Sequence, residues 1–275
     1  MVKSCPHSLY FFRGDVENLV LEDAVNTFKD WHIVPLGRPT ISPPQQKTTI
    51  LDIPGANGVI DLSNSLTGYP VFNNRTGSMT FAVLNDETDW LTAYTKILRF
   101  LQGNPIKMIL EDDPKYFYEG SVYVEDWNSR NDGTWSEVTL GYDLYPYRKR
   151  LTTSIGDVDW LWDPFNFETD FIQSSAFNAI QINTVDDEWK VCDFTGIVDT
   201  MPATPILTVT LDSEDPITAQ LYNSDLHYEW KEFSLTAGTY KLYDLILCEE
   251  TPESIVKMRF KGHGQVTINF RSGRL

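Results

Sequence analysis

The strongest constraint on this chain is a two-residue period. Near the end, Val256, Met258 and Phe260 alternate with Lys257, Arg259 and Lys261. After Gly262-His263-Gly264, Val266, Ile268 and Phe270 alternate with Thr267, Asn269 and Arg271. A helix cannot bring such a set to one side, whereas a strand does so automatically. The pattern predicts a β-hairpin with one apolar face, turning at the glycines. Leu207, Val209 and Leu211 repeat the period, as do Leu226, Tyr228 and Trp230. Phe233 and Leu235 then fall out of phase, which predicts a bulge near Lys231. Upstream, Tyr116, Tyr118, Val122 and Val124 share one parity, and so do Val138, Leu140 and Tyr142. The turn-rich Asn128–Gly133 between them predicts a long hairpin with its tip near Arg130. The fold class that follows is mainly β.

One segment breaks the period. Asp86-Glu87-Thr88-Asp89 suit a helix start. Trp90, Leu91, Tyr94, Ile97, Leu98 and Leu101 then recur at helical spacing, and Gly103-Asn104-Pro105 ends the run. An amphipathic helix of about four to five turns packed on a sheet is expected. A boundary falls after Tyr145-Pro146-Tyr147-Arg148-Lys149-Arg150, because Leu151–Thr169 is irregular, with Gly156, Pro164 and four acids. Charge changes there too. The first 150 residues carry 14 basic and 19 acidic side chains, the remainder 8 and 20. Two domains, 1–150 and 151–275, fit that contrast.

The net charge of −17 argues against a protein that grips phosphates, since nucleic-acid binders need basic patches and the longest basic run is Arg148–Arg150. No apolar run reaches the roughly 20 residues that cross a bilayer, so no membrane insertion is expected. With no secretion signal visible, a soluble protein made in a cytoplasm is the expectation. Cys5, Cys192 and Cys248 are too scattered for a disulfide scaffold or a zinc site, and the four histidines form no ligand pair. Nucleophile elbows, phosphate loops and dinucleotide fingerprints are missing. Acidic clusters at Asp112-Asp113, Asp186-Asp187-Glu188 and Asp212–Asp215 lack the spacing of a calcium loop and read as solvated turns. Trp160, Trp162, Trp189 and Trp230 suit either sugar stacking or core packing. No catalytic, cofactor or metal site is assigned, and the profile suits a structural or binding component better than an enzyme.

The first part also carries an ordered set of pieces. Pro39-Thr40-Ile41-Ser42-Pro43-Pro44 and Lys47 precede Asp52-Ile53-Pro54-Gly55-Ala56-Asn57-Gly58-Val59-Ile60-Asp61-Leu62-Ser63. Leu66–Phe72, Asn74-Arg75, Ser78–Val83, Ile109–Pro114, Tyr116-Phe117-Tyr118 and Tyr145–Lys149 follow. Over about residues 30 to 150 this order resembles the distal tail proteins of tailed bacteriophages and prophages. The last stretch, Val266–Gly273, is similar to that family's usual final strand.

The resemblance implies an N-terminal β-sandwich or split-barrel-like ring domain with one helix, and a C-terminal galectin-like β-sandwich. It implies a homohexameric ring at the virion tail tip, assembled in the host bacterial cytoplasm. That ring joins the tail tube protein to the tail-associated hub protein, carries receptor-binding or baseplate proteins, and passes DNA through its lumen without reading sequence. An acidic lumen would let the duplex slide, because phosphates meet no countercharge. In this setting Pro54-Gly55 turns the chain, Asn57-Gly58 supplies positive φ, and Asp61-Leu62 pairs with Ser78–Val83. Contact between neighbouring subunits is expected from Val59, Asp61, Leu62, Tyr69 and Phe72, or from the hairpin tip with Arg130 and Asp132. The alternative reading is a carbohydrate-binding module, with Trp160, Trp162 and Trp230 against glycans. A cell-envelope hydrolase is a third reading, with no site to support it.

Overall fold

The two-residue period is realised as antiparallel strands. The computed structural model describes residues 5–14, 19–55, 57–84, 90–129, 136–151, 180–183, 188–195, 198–249, 251 and 253–275. By its internal contacts the chain falls into two units, Met1–Leu151 and Thr152–Arg274. Most of the irregular stretch at 151–169, with Trp160 and Trp162, lies outside the described residues.

In the first unit the strands are β1 (Leu9–Arg13), β2 (Val25–Asn26), β3 (Ile33–Pro35), β4 (Ile50–Asp52), β5 (Val59–Asp61), β6 (Arg75–Val83), β7 (Pro105–Leu110), β8 (Tyr116–Ser129), β9 (Ser136–Leu144) and β10 (Arg148–Arg150). Seven of them form one sheet in the order β2-β1-β7-β8-β9-β6-β3, with β10 along β8. The long hairpin is β8–β9, paired from Gly120↔Leu144 to Ser129↔Ser136 with a register shift between Val124 and Asp126. Its tip, with Arg130 and Asp132, lies outside the described residues.

This sheet is covered on both faces in the middle. Leu9, Phe11, Ile106, Met108, Val138 and Leu140 build the main core, whereas Phe12, Ile109 and Phe117 form a smaller cluster with Leu19. Two-sided burial explains why β1 and β7 read as nearly continuous apolar runs instead of alternating.

The helix α1 spans Trp90–Leu101, 12 residues or just over three turns, and the expected start at Asp86–Asp89 lies outside the described residues. Ala93, Ile97 and Leu101, one turn apart, are its buried face, and this leaves Leu91 58% exposed on the far side. Tyr94 meets Trp127 of β8 edge-on at 5.2 Å. Phe100 meets Trp31 at 5.5 Å, and Trp31 stacks on Phe11 at 5.2 Å, so helix, loop and sheet share one aromatic column.

The second unit is a β-sandwich. Its strands are β11 (Ile180–Asn183), β12 (Lys190–Asp193), β13 (Ile206–Leu211), β14 (Ile217–Asn223), β15 (Tyr228–Leu235), β16 (Gly238–Lys241), β17 (Val256–Lys261) and β18 (His263–Asn269). Sheets β11-β18-β13-β16 and β12-β17-β14-β15 enclose one core. Here the sequence reading needs correction. Strands β17 and β18 alternate as expected, with Val256, Met258, Phe260, Val266 and Ile268 fully buried. They do not pair with each other. Instead β17 pairs with β12 and β14, and β18 with β11 and β13. The turn is a corner between sheets. Gly262 (φ +137°) and Gly264 (φ +149°) permit it, and any side chain on Gly264 would strike the Thr210 carbonyl. Alternation reports which side is buried, not which strand is the neighbour.

The phase shift in β15 is real. Leu221 pairs with Lys231 but Asn223 pairs with Tyr228, which leaves Glu229 and Trp230 together opposite Tyr222. Trp230 takes φ +56°, an uncommon backbone for so large a residue.

Two outcomes follow. Phe260→Ala should destabilise the sandwich by about 3–5 kcal/mol in urea unfolding, through lost burial plus a cavity. Burial pushes the Cys192 thiol up to about 12. Iodoacetamide at mildly alkaline pH should therefore spare Cys192 in the folded chain and label it once urea is added, as read by mass spectrometry.

Candidate assembly surface

The segment between β3 and β6 leaves the sheet as an arm. Its strands pair only with each other, Ile50↔Asp61, Leu51↔Ile60 and Asp52↔Val59. Gly55 (φ +86°) and Gly58 (φ +84°) turn the tip, as the Pro-Gly and Asn-Gly pairs predict. The expected pairing of Asp61-Leu62 with Ser78–Val83 does not occur. Strand β6 is flanked by β9 and β3, so both of its edges are already taken.

The arm's surface is unusual. Ile50, Leu51, Ile53, Val59, Ile60, Leu62 and Leu66 are 39–98% exposed. These seven, all within residues 50–66, belong to the eighteen exposed large hydrophobics among the described residues. Leu51 and Ile60 lie opposite each other on one face, and Ile50 and Val59 lie on the other. Asp61 and Asp52 share the second face as the partners of Ile50 and Val59; a two-stranded ribbon is marginal alone, and one with exposed apolar side chains on both faces favours a cover.

The root, by contrast, is firmly held. Arg75, only 6% exposed, donates from Nε to the Pro146 carbonyl at 2.7 Å and from its guanidinium to the Ser42 carbonyl at 3.1 Å. Its guanidinium also lies 5.8 Å from the centre of the Tyr118 ring. Ser42 N–H donates to the Tyr142 hydroxyl at 3.0 Å, and that hydroxyl sits where a Cβ on Gly77 would stand. On the returning side, Gln46 bridges Phe72, Lys47 N–H donates to Val71 O at 2.7 Å, and Asn73 N–H donates to Gln45 O at 2.8 Å. Phe72 meets Tyr147 edge-on at 6.0 Å.

Polar groups order the arm between root and tip. Ser63 donates to Asp61 through both its N–H and its hydroxyl. These hydrogen bonds hold the Asp61 carboxyl below the usual carboxylate range. Thr67 Oγ1 donates to the Tyr69 carbonyl at 2.6 Å.

Of the residues singled out for subunit contact, Val59, Asp61 and Leu62 thus share the arm, while Tyr69 and Phe72 sit half-buried near its root. Arg75, Tyr142, Ser42 and Gly77 were missed as its anchors. Only Asn74-Arg75 ahead of a strand hinted at them, and nothing in spacing says that a surface-type residue is buried.

The acidic pair Asp112-Asp113 is used structurally. Asp112 accepts from Arg38 Nε at 2.8 Å and from His7 Nδ1, and these donors lower its pKa. Asp113 accepts from Arg148 at 2.6 Å. Among the described residues no group of three or more His, Cys, Asp or Glu is placed to hold a metal. None of the described helices is long and apolar enough to cross a membrane.

No protein-family model and no curated protein matches the chain. Among solved structures its fold is similar to the crystal structure of SPP1 Dit (gp 19.1), described as a paradigm of the hub adsorption apparatus in phages that infect Gram-positive bacteria. The likeness has a TM-score of 0.51 at 12% identity and covers 97% of this chain and 99% of that one. At that identity it establishes a shared fold over both units.

Arg75→Met should leave two carbonyls without their charged donor and cost about 1.5–3 kcal/mol in thermal or urea unfolding, with faster proteolysis inside 43–72. Ser63→Ala should raise the Asp61 pKa toward the ordinary range in an NMR titration. The native bonds favour the ionised form, so their contribution is present above the ordinary carboxylate pKa and is lost as pH falls through the lowered value.

Proposed function

We propose that the chain is a structural component of a bacteriophage tail tip, a distal tail protein whose copies close into a homohexameric ring. The ring would join the tail tube protein above to a tail-associated hub protein below and carry receptor-binding or baseplate proteins. DNA would pass through its lumen, and the protein would act by assembly rather than catalysis. The observation that carries this reading is the rooted arm from Ile50 to Leu66, with apolar side chains exposed on both of its faces. A second copy of this chain is its proposed cover. The arm keeps free backbone edges for strand addition, and a cyclic assembly gives every copy one arm and one acceptor surface. The fold shared with a phage adsorption-apparatus protein across both units supports the setting. The excess of 19 acidic over 14 basic side chains in the first 150 residues suits a bore through which a duplex slides without being held.

In this reading residues 1–150 build the ring and 151–275 form an outward module. Arg130 and Asp132 remain proposed contacts at the tip of β8–β9. The workplace is the virion tail tip, after assembly in the host cytoplasm.

The double variant Leu51→Asp, Val59→Asp places charges on both faces of an exposed ribbon, where the monomer's own fold has little to lose. It should remain folded by circular dichroism yet run as a monomer in light scattering, while the parent chain runs as a ring visible by negative stain. A parent chain that stays monomeric at high concentration, or a variant that still closes rings, would remove the arm from this role.

A further inference from the structure

The outer face of the sheet β12-β17-β14-β15 carries a constructed polar row. Across four strands the register aligns Val191, Arg259, Gln220 and Glu232. Arg259 Nε donates to Gln220 Oε1 at 2.7 Å, and Gln220 Nε2 donates to Glu232 Oε2 at 2.7 Å. Aromatic rings flank the row. The Arg259 guanidinium lies 3.9 Å from the centre of the Trp230 ring and 4.5 Å from that of Trp189. Tyr222 stands beside Trp230 at 5.5 Å. The bulge at Glu229-Trp230 is what brings the Trp230 ring over the row, at the expense of a positive φ.

The geometry points to a saccharide-binding site, in which a hexopyranoside with vicinal hydroxyls meets Arg259, Gln220 and Glu232 while its C–H surface lies against Trp189, Trp230 or Tyr222. Three features of the face carry this. First, the guanidinium is fixed before any ligand arrives. A solvent-side arginine normally samples many rotamers, and here stacking and the Gln220 bond have already removed that freedom. Its terminal amino groups have no protein acceptor among the described residues, so a preset donor fork remains. Second, the row alternates in kind. Arg259 only donates, Glu232 only accepts when ionised, and Gln220 joins them. Hydroxyls both donate and accept, so neighbouring sugar hydroxyls satisfy both ends. Glu232 sets an acceptor at one end of the row, whereas Asp193 is paired with Lys257 at 3.1 Å; binding of an acidic peptide is the competing outcome of the test. Third, the rings supply apolar surface beside the hydrogen-bonding groups, the mixture on which small-ligand sites rely. Of the four tryptophans considered for sugar stacking, Trp189 and Trp230 belong to this site, whose centre is Arg259, while Trp160 and Trp162 lie outside the described residues. The inference concerns the second unit alone and stands independently of ring formation.

The full chain is titrated with methyl glucoside, methyl galactoside, N-acetylglucosamine and glucuronate in saturation-transfer NMR and calorimetry, with hexaglutamate as the acidic-peptide probe. At least one sugar should bind in the millimolar range. Arg259→Lys should weaken it about ten-fold, since an ammonium cannot present the planar fork. Glu232→Gln, on an exposed edge strand, should weaken it as well, and Tyr145→Ala, at an exposed ring of the first unit, should not. Melting curves confirm that each variant is folded, and either of the first two suffices if the other is not. The inference is overturned if no sugar binds, if binding is equal in Arg259→Lys and Glu232→Gln, or if hexaglutamate binds more tightly than every sugar. The last outcome would mark the face as a dock for an acidic protein.

Discussion

An alternating strand creates an apolar face that must be covered, and the architecture of this chain is the set of ways in which that demand is met. In the first unit a helix supplies Ala93, Ile97 and Leu101 against one side of the sheet, and Leu19 helps close the other. In the second unit each four-stranded sheet covers the other. The arm is the exception. It has the same strand chemistry, with Leu51 and Ile60 on one face and Ile50 and Val59 on the other, yet all four lie exposed. Burial of a leucine-sized side chain contributes about 1.5–3 kcal/mol, so seven such groups represent a large gain that a lone subunit leaves unrealised. That deficit is the physical basis for assigning assembly to the arm.

A surface that works by docking also needs a defined direction, and this is where the buried Arg75 matters. Its guanidinium joins three separate stretches, the loop at Ser42, the Pro146 turn and the Tyr118 ring. Tyr142 adds a second tether to Ser42, possible because Gly77 leaves room for the hydroxyl. Burial lowers the Arg75 pKa, but arginine remains charged at any working pH, so the clamp does not titrate away. The arm therefore combines a rigid base with a ribbon whose pairing is local, which suits an element that must find a partner and then hold position against it.

Legibility in the sequence followed physical range. The period-2 patterns at 207–211, 256–260 and 266–270 identified strands and buried faces correctly, because side-chain direction is set residue by residue. The bulge near Lys231 was legible for the same reason: a phase slip in the pattern is a phase slip in the backbone. Partner choice was not legible. Strands β17 and β18 read as a hairpin yet belong to facing sheets, since both arrangements bury the same parity. Asp61-Leu62 read as a partner of Ser78–Val83, yet the nearer Ile50–Asp52 took the pairing. The helix stripe misplaced Leu91, which stands about 120° round the axis from Ile97 and so off the buried face. Pairs such as Arg75 with Ser42, or Arg259 with Trp189, lie 33 and 70 positions apart and leave no local signature.

The outer face of the second unit raises a different physical question, why a domain would hold an arginine still on its solvent side. Stability is a weak answer. Exposed polar pairs contribute little, and fixing Arg259, Gln220 and Glu232 together removes side-chain freedom that water would otherwise leave intact. The backbone also bears a cost, since Trp230 keeps a φ of +56° in a position where a regular strand would have satisfied the ladder. Stacking between indole and guanidinium repays part of this, but a flat strand with smaller residues would serve the fold equally well. An arrangement that is preset, locally strained and unnecessary to the core is better explained by what it meets than by what it supports. The core beneath it is already complete: Met258 and Phe260, on either side of Arg259 in sequence, are fully buried and leave the outer side of β17 free for recognition.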